Sequence, residues 1–262
     1  MKGNWRTSLR VMGAIIHHDM MLFKQDKADN IINLCVARGT MALIYQYIMP
    51  FMGVTNYGAF MAVADLAHSG YFRSIGLITH LVGDLQGDQA ISYYLTLPFP
   101  QTLVFVSMAL SYALRAMMIS IVLLPVMKLL LGGALSFEHA SWGNFAIIFI
   151  LSHIFFGFFA LFFASILRRL EYFDNVWIRI MLPLWMTGCH MFPWKIAYTF
   201  SPWLGYALLL NPLTACLEGF RGALLGYDNT LPFWFSVTVL VVATLLFGTI
   251  AIKKLKKRLD CL

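Results

Sequence analysis

Apolar residues in this chain come in long runs, not in the half-apolar or alternating stretches of soluble elements. A helix that crosses a bilayer needs roughly 20 mainly apolar residues. Six stretches qualify as predicted spans: 31–52, 57–80, 102–126, 144–167, 176–197 and 231–252. The second carries the heaviest polar load, with Asp65, His68 and Arg73 inside it. Residues 4–24 follow a different rule. Trp5, Leu9, Met12, Ile16, Met20 and Phe23 recur at steps of three and four, with Arg6, Arg10, His17 and Lys24 between them. That spacing predicts an N-terminal amphipathic helix, lying in the membrane interface or packed on other protein.

Two connections stand out from this pattern. The segment NPLTACLEGFRGALLGYDN, 211–229, is too short to cross a bilayer and too apolar for a loop. Asn211-Pro212 can open a helix, because proline fits the first turn. A re-entrant helical hairpin between the fifth and sixth spans suits it, provided protein or a water-filled cavity surrounds the irregular backbone. The segment HLVGDLQGDQAISYYLTLPFPQ, 80–101, predicts a short helix parallel to the membrane. Asp84 and Asp88 near its start favour a helix N-terminus, and Pro-Phe-Pro stops it.

Composition moves the reading from helical to membrane-embedded. Of the 262 residues, 60% are hydrophobic and 12% charged, about half the charged share of soluble domains. Mean hydropathy is +0.74. Such a chain cannot cover itself with polar surface, so an all-α integral membrane fold in one domain over 1–262 is expected. The four cysteines, Cys35, Cys189, Cys216 and Cys261, form no CxxC pair, which gives metal or disulfide chemistry little support. His17, His18 and Asp19 break any signal-peptide core.

The net charge of +7 points to orientation, not to nucleic acid, because the bases flank the apolar runs. Lys2, Arg6, Arg10, Lys24 and Lys27 precede the first span. Arg168 and Arg169 follow the fourth, and Lys253, Lys254, Lys256, Lys257 and Arg258 follow the sixth. An even number of spans places all three groups on one side, and the positive-inside rule makes that side the cytoplasm, N-in and C-in.

Charges inside spans need a partner, water or an exit. Arg38, Arg73 and Arg179 lie near inner ends and can snorkel. Asp65 and Arg115 are deeper, roughly 12 and 20 Å by helical rise, at similar heights in a core of about 30 Å. They form a predicted intramembrane pair, structural or conduit-lining. Glu218 and Arg221 stand three apart on one helical face, either as a local ion pair or as a gate. Phe155, Phe156 and Phe159 make the fourth span unusually aromatic: packed bulk, or candidate conduit aromatics. His68, His153 and His190 show no metal-like spacing.

Together these features resemble the membrane subunit of ABC-2-type exporters, the permeases for O-antigen, capsule, teichoic acid, nodulation factor and drugs. The resemblance covers most of the chain. It is strongest from LRRLEYFDNVWIRIMLPLWMTGCHMFPW (167–194) to NPLTACLEGFRGALLG (211–226), through Phe173-Asp174, Gly188 to Trp194, Asn211-Pro212, Glu218 and Arg221. The run of 83–98 resembles the family's cytoplasmic segment, without its usual Arg-Glu. The resemblance implies a dimer of this chain in a bacterial inner membrane, with two separate ATPase subunits docked below. Asp84, Gln86, Asp88, Tyr93 and Tyr94 would couple to the ATPase, and Asn211, Pro212, Glu218 and Arg221 would form the outer gate. Envelope components are further implied partners. The chain has no GxxxxGK[ST], so ATP and Mg would be bound by the partner and no cofactor by this chain. Implied cargo is a (glyco)lipid, a polysaccharide or an amphiphilic small molecule. A membrane-embedded lipid-modifying enzyme and a non-transporting scaffold are the alternatives.

Overall fold

The structure is a computed structural model that describes residues 5–54, 57–87, 90–96, 100–226 and 230–259. Among these residues every regular element is helical, and no strand occurs. Four helical stretches are long and apolar enough to cross a membrane: Lys27–Met52, Gln101–Ala134, Trp142–Ile166 and Phe233–Leu259. They answer to the first, third, fourth and sixth predicted spans.

One helix of 39 residues, α1 (Trp5–Leu43), opens the described chain. The separate interface helix and first span of the sequence reading are therefore one continuous helix. The intervening 25–30, Gln-Asp-Lys-Ala-Asp-Asn, holds neither glycine nor proline, so nothing there breaks the backbone. Past Leu43 the helix loosens into a π turn, Ile44–Ile48, tightens to a 3-10 turn, Met49–Met52, and stops at Gly53, whose φ of 84° needs no Cβ.

The central helix is α2 (Tyr57–Gln86). It is long enough to span but polar, and its first fifteen residues after Tyr57 are almost all buried. α4 (Gln101–Leu131), α5 (Trp142–Ile166) and α11 (Phe233–Leu259) pack around it or against one another. Close approach is set by glycine. A Cβ at Gly157 of α5 would stand 2.4 Å from the Ala109 carbonyl oxygen of α4, and one at Gly70 of α2 would meet the Phe156 ring at 2.6 Å. Phe155, Phe156 and Phe159 lie in this seam. They are 0–2% exposed and stack on Tyr71 of α2 and Phe247 of α11. Within the chain they are buried core packing.

The fifth predicted span is shorter than expected. A helical run begins at α6 (Phe173–Val176), passes through a π turn at Trp177–Met181 and ends with α7 (Leu182–Thr187). At 1.5 Å per residue, 173–187 extends only about 22 Å. The chain then turns at Cys189, which adopts a left-handed φ of 60°. Three short helices follow: α8 (Trp194–Phe200), α9 (Pro202–Leu209) and α10 (Pro212–Leu225). A seven-residue helix, α3 (Ala90–Thr96), precedes α4 at the opposite end.

Candidate functional site

α10 begins as its sequence dictates. Asn211 caps it, its side-chain oxygen accepting the Leu213 N–H at 3.0 Å, and Pro212 fills the first position. The Asn211 amide nitrogen donates to the Leu184 carbonyl at 2.6 Å and the Thr187 hydroxyl at 3.2 Å. The end of α7 is thereby fixed to the start of α10. The helix lies along α5. Its Ala223 carbonyl accepts from the Ser141 N–H, and Cys216 meets Ser152. Ser152 is about 15 Å along α5 from Trp142 by helical rise. Gly219 admits the close packing, since a Cβ there would meet Ile148 at 2.7 Å.

Glu218 and Arg221 are both fully buried and paired at 3.0 Å. Neither serves only the other. The second Glu218 contact is the Trp194 N–H at 3.1 Å, at the start of α8. Arg221 donates to the His190 carbonyl at 2.9 Å, and its guanidinium lies 3.7 Å from the centre of the Phe60 ring on α2. One ion pair therefore joins α10, the 190–194 turn and the central helix. Tyr57 adds a second tie from α2, donating to the Met191 carbonyl.

A second pair stands on α2. Asp65, 2% exposed, accepts from Arg38 at 3.1 Å, and the Arg38 guanidinium also covers the Phe72 ring at 4.4 Å. The predicted Asp65–Arg115 pair does not form. Arg115 donates to the Asp19 carbonyl at 2.8 Å and meets the Asp19 carboxylate at 3.6 Å. Both true partners belong to α1, about 28 Å apart along it by helical rise. Depth along a span matches Asp65 to Arg115, but α1 lies beside both helices and satisfies both charges.

Between the two ion pairs lie groups that sequence spacing did not connect. His68 follows Asp65 by three residues, one turn along the same face. Its ring centre is 4.5 Å from His190 and 6.1 Å from Trp185, and the His190 and Trp185 rings are 4.9 Å apart. Buried polar atoms are normally hydrogen-bonded. Here both ring nitrogens of His68, His190 Nδ1, Trp185 Nε1, Asp65 Oδ2 and Glu218 Oε2 have no hydrogen-bond partner among the described residues. This concentration of unused donors and acceptors is set between fixed charges and aromatic faces. It can solvate hydroxyl or other uncharged polar groups in an otherwise apolar interior. Among the described residues, no group of three or more His, Cys, Asp or Glu could hold a metal ion. His153 stands apart, its Nδ1 bonded to the Phe149 carbonyl at 2.7 Å.

The coupling candidates lie at the other end of α2. Asp84 accepts from the Ile91 N–H at 2.9 Å and so ties α3 to α2. Gln86 accepts from the Leu170 N–H at 3.1 Å, clasping the turn after α5. Tyr93 is exposed and Tyr94 half-buried, their rings in edge contact. Asp88 lies outside the described residues. A cavity of about 580 Å³ adjoins this end, lined in part by Asp19, Arg73, His80, Asp84, Tyr94 and Arg115. Arg73 does not simply reach outward, since it donates to the Asn30 side chain and carbonyl at 3.2–3.3 Å.

No protein-family model and no curated protein matches this chain.

Proposed function

We propose that this chain is the membrane subunit of an ATP-driven exporter of the ABC-2 type, working as a dimer with separate ATPase subunits. In this reading it crosses a bacterial inner membrane six times with both ends in the cytoplasm. The central α2 and the short 173–187 run complete the set of spans, and α8 to α10 form the re-entrant outer segment. Cargo is a (glyco)lipid, a polysaccharide or an amphiphilic small molecule moved outward.

One observation carries the proposal. The buried Glu218–Arg221 pair of α10 holds the 190–194 turn and the Phe60 face of α2 together. A short apolar helix latched by one desolvated ion pair is a two-state element. While the pair is intact the segment stays packed, and parting it opens the region around His68 and His190. The resemblance to exporters puts the outer gate in the same residues. At the opposite end, the Asp84 bond ties α3 to α2 and the Gln86 bond ties α2 to the turn after α5, as a lever from a cytoplasmic motor requires.

A second reading, a membrane-embedded lipid-modifying enzyme, draws on the convergence of Asp65, His68, His190 and Glu218. Both of these carboxylates are held by guanidinium groups, which disfavours either as a general base. The two readings separate in a deletion strain. Export failure leaves complete cargo accumulating inside the cell, restored to the surface by the intact chain. Loss of an enzyme leaves an unmodified precursor and no accumulation of finished product.

A further inference from the structure

A second feature lies at the basic end of the spans, where neither the gate nor α3 uses it. α5 ends at Ile166, and the turn beyond it carries Arg168 and Arg169. Facing that turn, the last part of α11 presents Lys254, Lys257 and Arg258, spaced three and four apart on one helical face. These five bases line a groove of about 740 Å³ together with Leu85, Gln86, Ser165 and Ile166, and among the described residues no acid lines it.

The groove is built by its own residues. Arg258 spends its guanidinium on the carbonyls of Leu167 at 2.7 Å and Arg168 at 3.0 Å, which fastens α11 to the end of α5. Arg169 reaches Glu171 at 3.5 Å, a weak exposed pair. The side chains of Arg168, Lys254 and Lys257 are exposed and have no hydrogen-bond or ion-pair partner among the described residues. Crowded like charges repel unless an anion sits among them. The position selects the anion: α5 and α11 are two of the helices apolar enough to cross a membrane, and the groove lies where their apolar stretches end. Phosphates of the lipid headgroups lie at that level, and the exposed Ile166 can meet acyl chain below them.

We infer that this groove is a binding site for the phosphate headgroup of an anionic phospholipid. Basic pockets between spanning helices commonly take such headgroups. The inference needs the chain in a bilayer but not the export reading. Gln86 borders the groove while also clasping Leu170, so an occupied groove would stiffen the joint between α2, α5 and α11.

The test uses the full chain in nanodiscs of phosphatidylcholine with a minor share of phosphatidylglycerol, with bound lipid counted by mass spectrometry after detergent exchange. The wild type should retain phosphatidylglycerol saturably. R168Q/K254Q/K257Q should bind it about a hundredfold more weakly, at about a factor of five per base. K27Q/R179Q/K253Q, which removes as many exposed charges elsewhere, should retain it like the wild type. Equal losses in both triple variants would overturn the proposal in favour of net charge alone. Displacement by inorganic phosphate would reassign the groove to small anions. Undiminished lipid binding in the groove variant, with loss of a co-purifying protein, would make it a protein-docking face. Absence of saturable retention by the wild type would refute the idea with no variant needed.

Discussion

Arg221 is the largest fully buried side chain among the described residues, and its surroundings show why it is tolerated there. A carboxylate, a backbone carbonyl and an aromatic face divide its guanidinium among them. Removing one member of a buried pair strands the other charge and costs about 3–5 kcal/mol. Arg221→Ala should therefore destabilise the purified protein by about that amount in thermal or denaturant unfolding, and Glu218→Leu with Arg221→Leu should cost less than Arg221→Ala alone. A parallel cycle checks the partners on α1. Asp65→Ala and Arg38→Ala should couple, the double change costing less than the sum of the singles. Asp65→Ala and Arg115→Ala should add to within about 0.5 kcal/mol. The Glu218–Arg221 pair was legible because both residues sit on one short helix at a spacing of three. The Asp65–Arg38 pair was not, because it depends on which helices are neighbours, and depth along a span carries no such information. For the same reason His68, more than a hundred residues from Trp185 and His190 in sequence, gave no sign of meeting them.

At the scale of elements, three long apolar helices and the last part of α1 could be read directly from run length, since a continuous apolar run has few other stable states in or out of a membrane. The start of α10 was equally readable from Asn211-Pro212. Interrupted elements were harder. The join of α1 through 25–30 is polar yet helix-compatible, so composition suggested a boundary that backbone chemistry does not impose. The 173–187 run ends early at a turn through Cys189, a residue whose left-handed backbone no side-chain pattern announces. Helix spacing yields its own prediction. Gly157→Ala would press a methyl group on the Ala109 backbone, which cannot rotate away. It should cost about 1–3 kcal/mol and loosen α4 from α5, read as a lower unfolding midpoint. Gly76→Ala, whose nearest neighbour is the Tyr112 hydroxyl at 3.7 Å, should leave the midpoint within error.

For the whole molecule, the proposed six-span path makes a prediction about sides. With the chain's own cysteines replaced, Ser136→Cys and Thr230→Cys should react with a membrane-impermeant thiol reagent from outside intact cells. Arg168→Cys and Lys254→Cys should react only after the cells are opened. Labelling of both sets from one side would break the topology and with it the outer placement of α10.

The central proposal, a permease driven by another polypeptide's ATPase, meets its most direct test in the complex itself. The chain would be tagged, purified from its native membrane in mild detergent, and assayed for associated polypeptides and for ATP hydrolysis. A subunit bearing a Walker A motif should co-purify, and the complex should hydrolyse ATP. Repeated purification from native membranes without any Walker A polypeptide, and without ATP hydrolysis, would contradict the proposal.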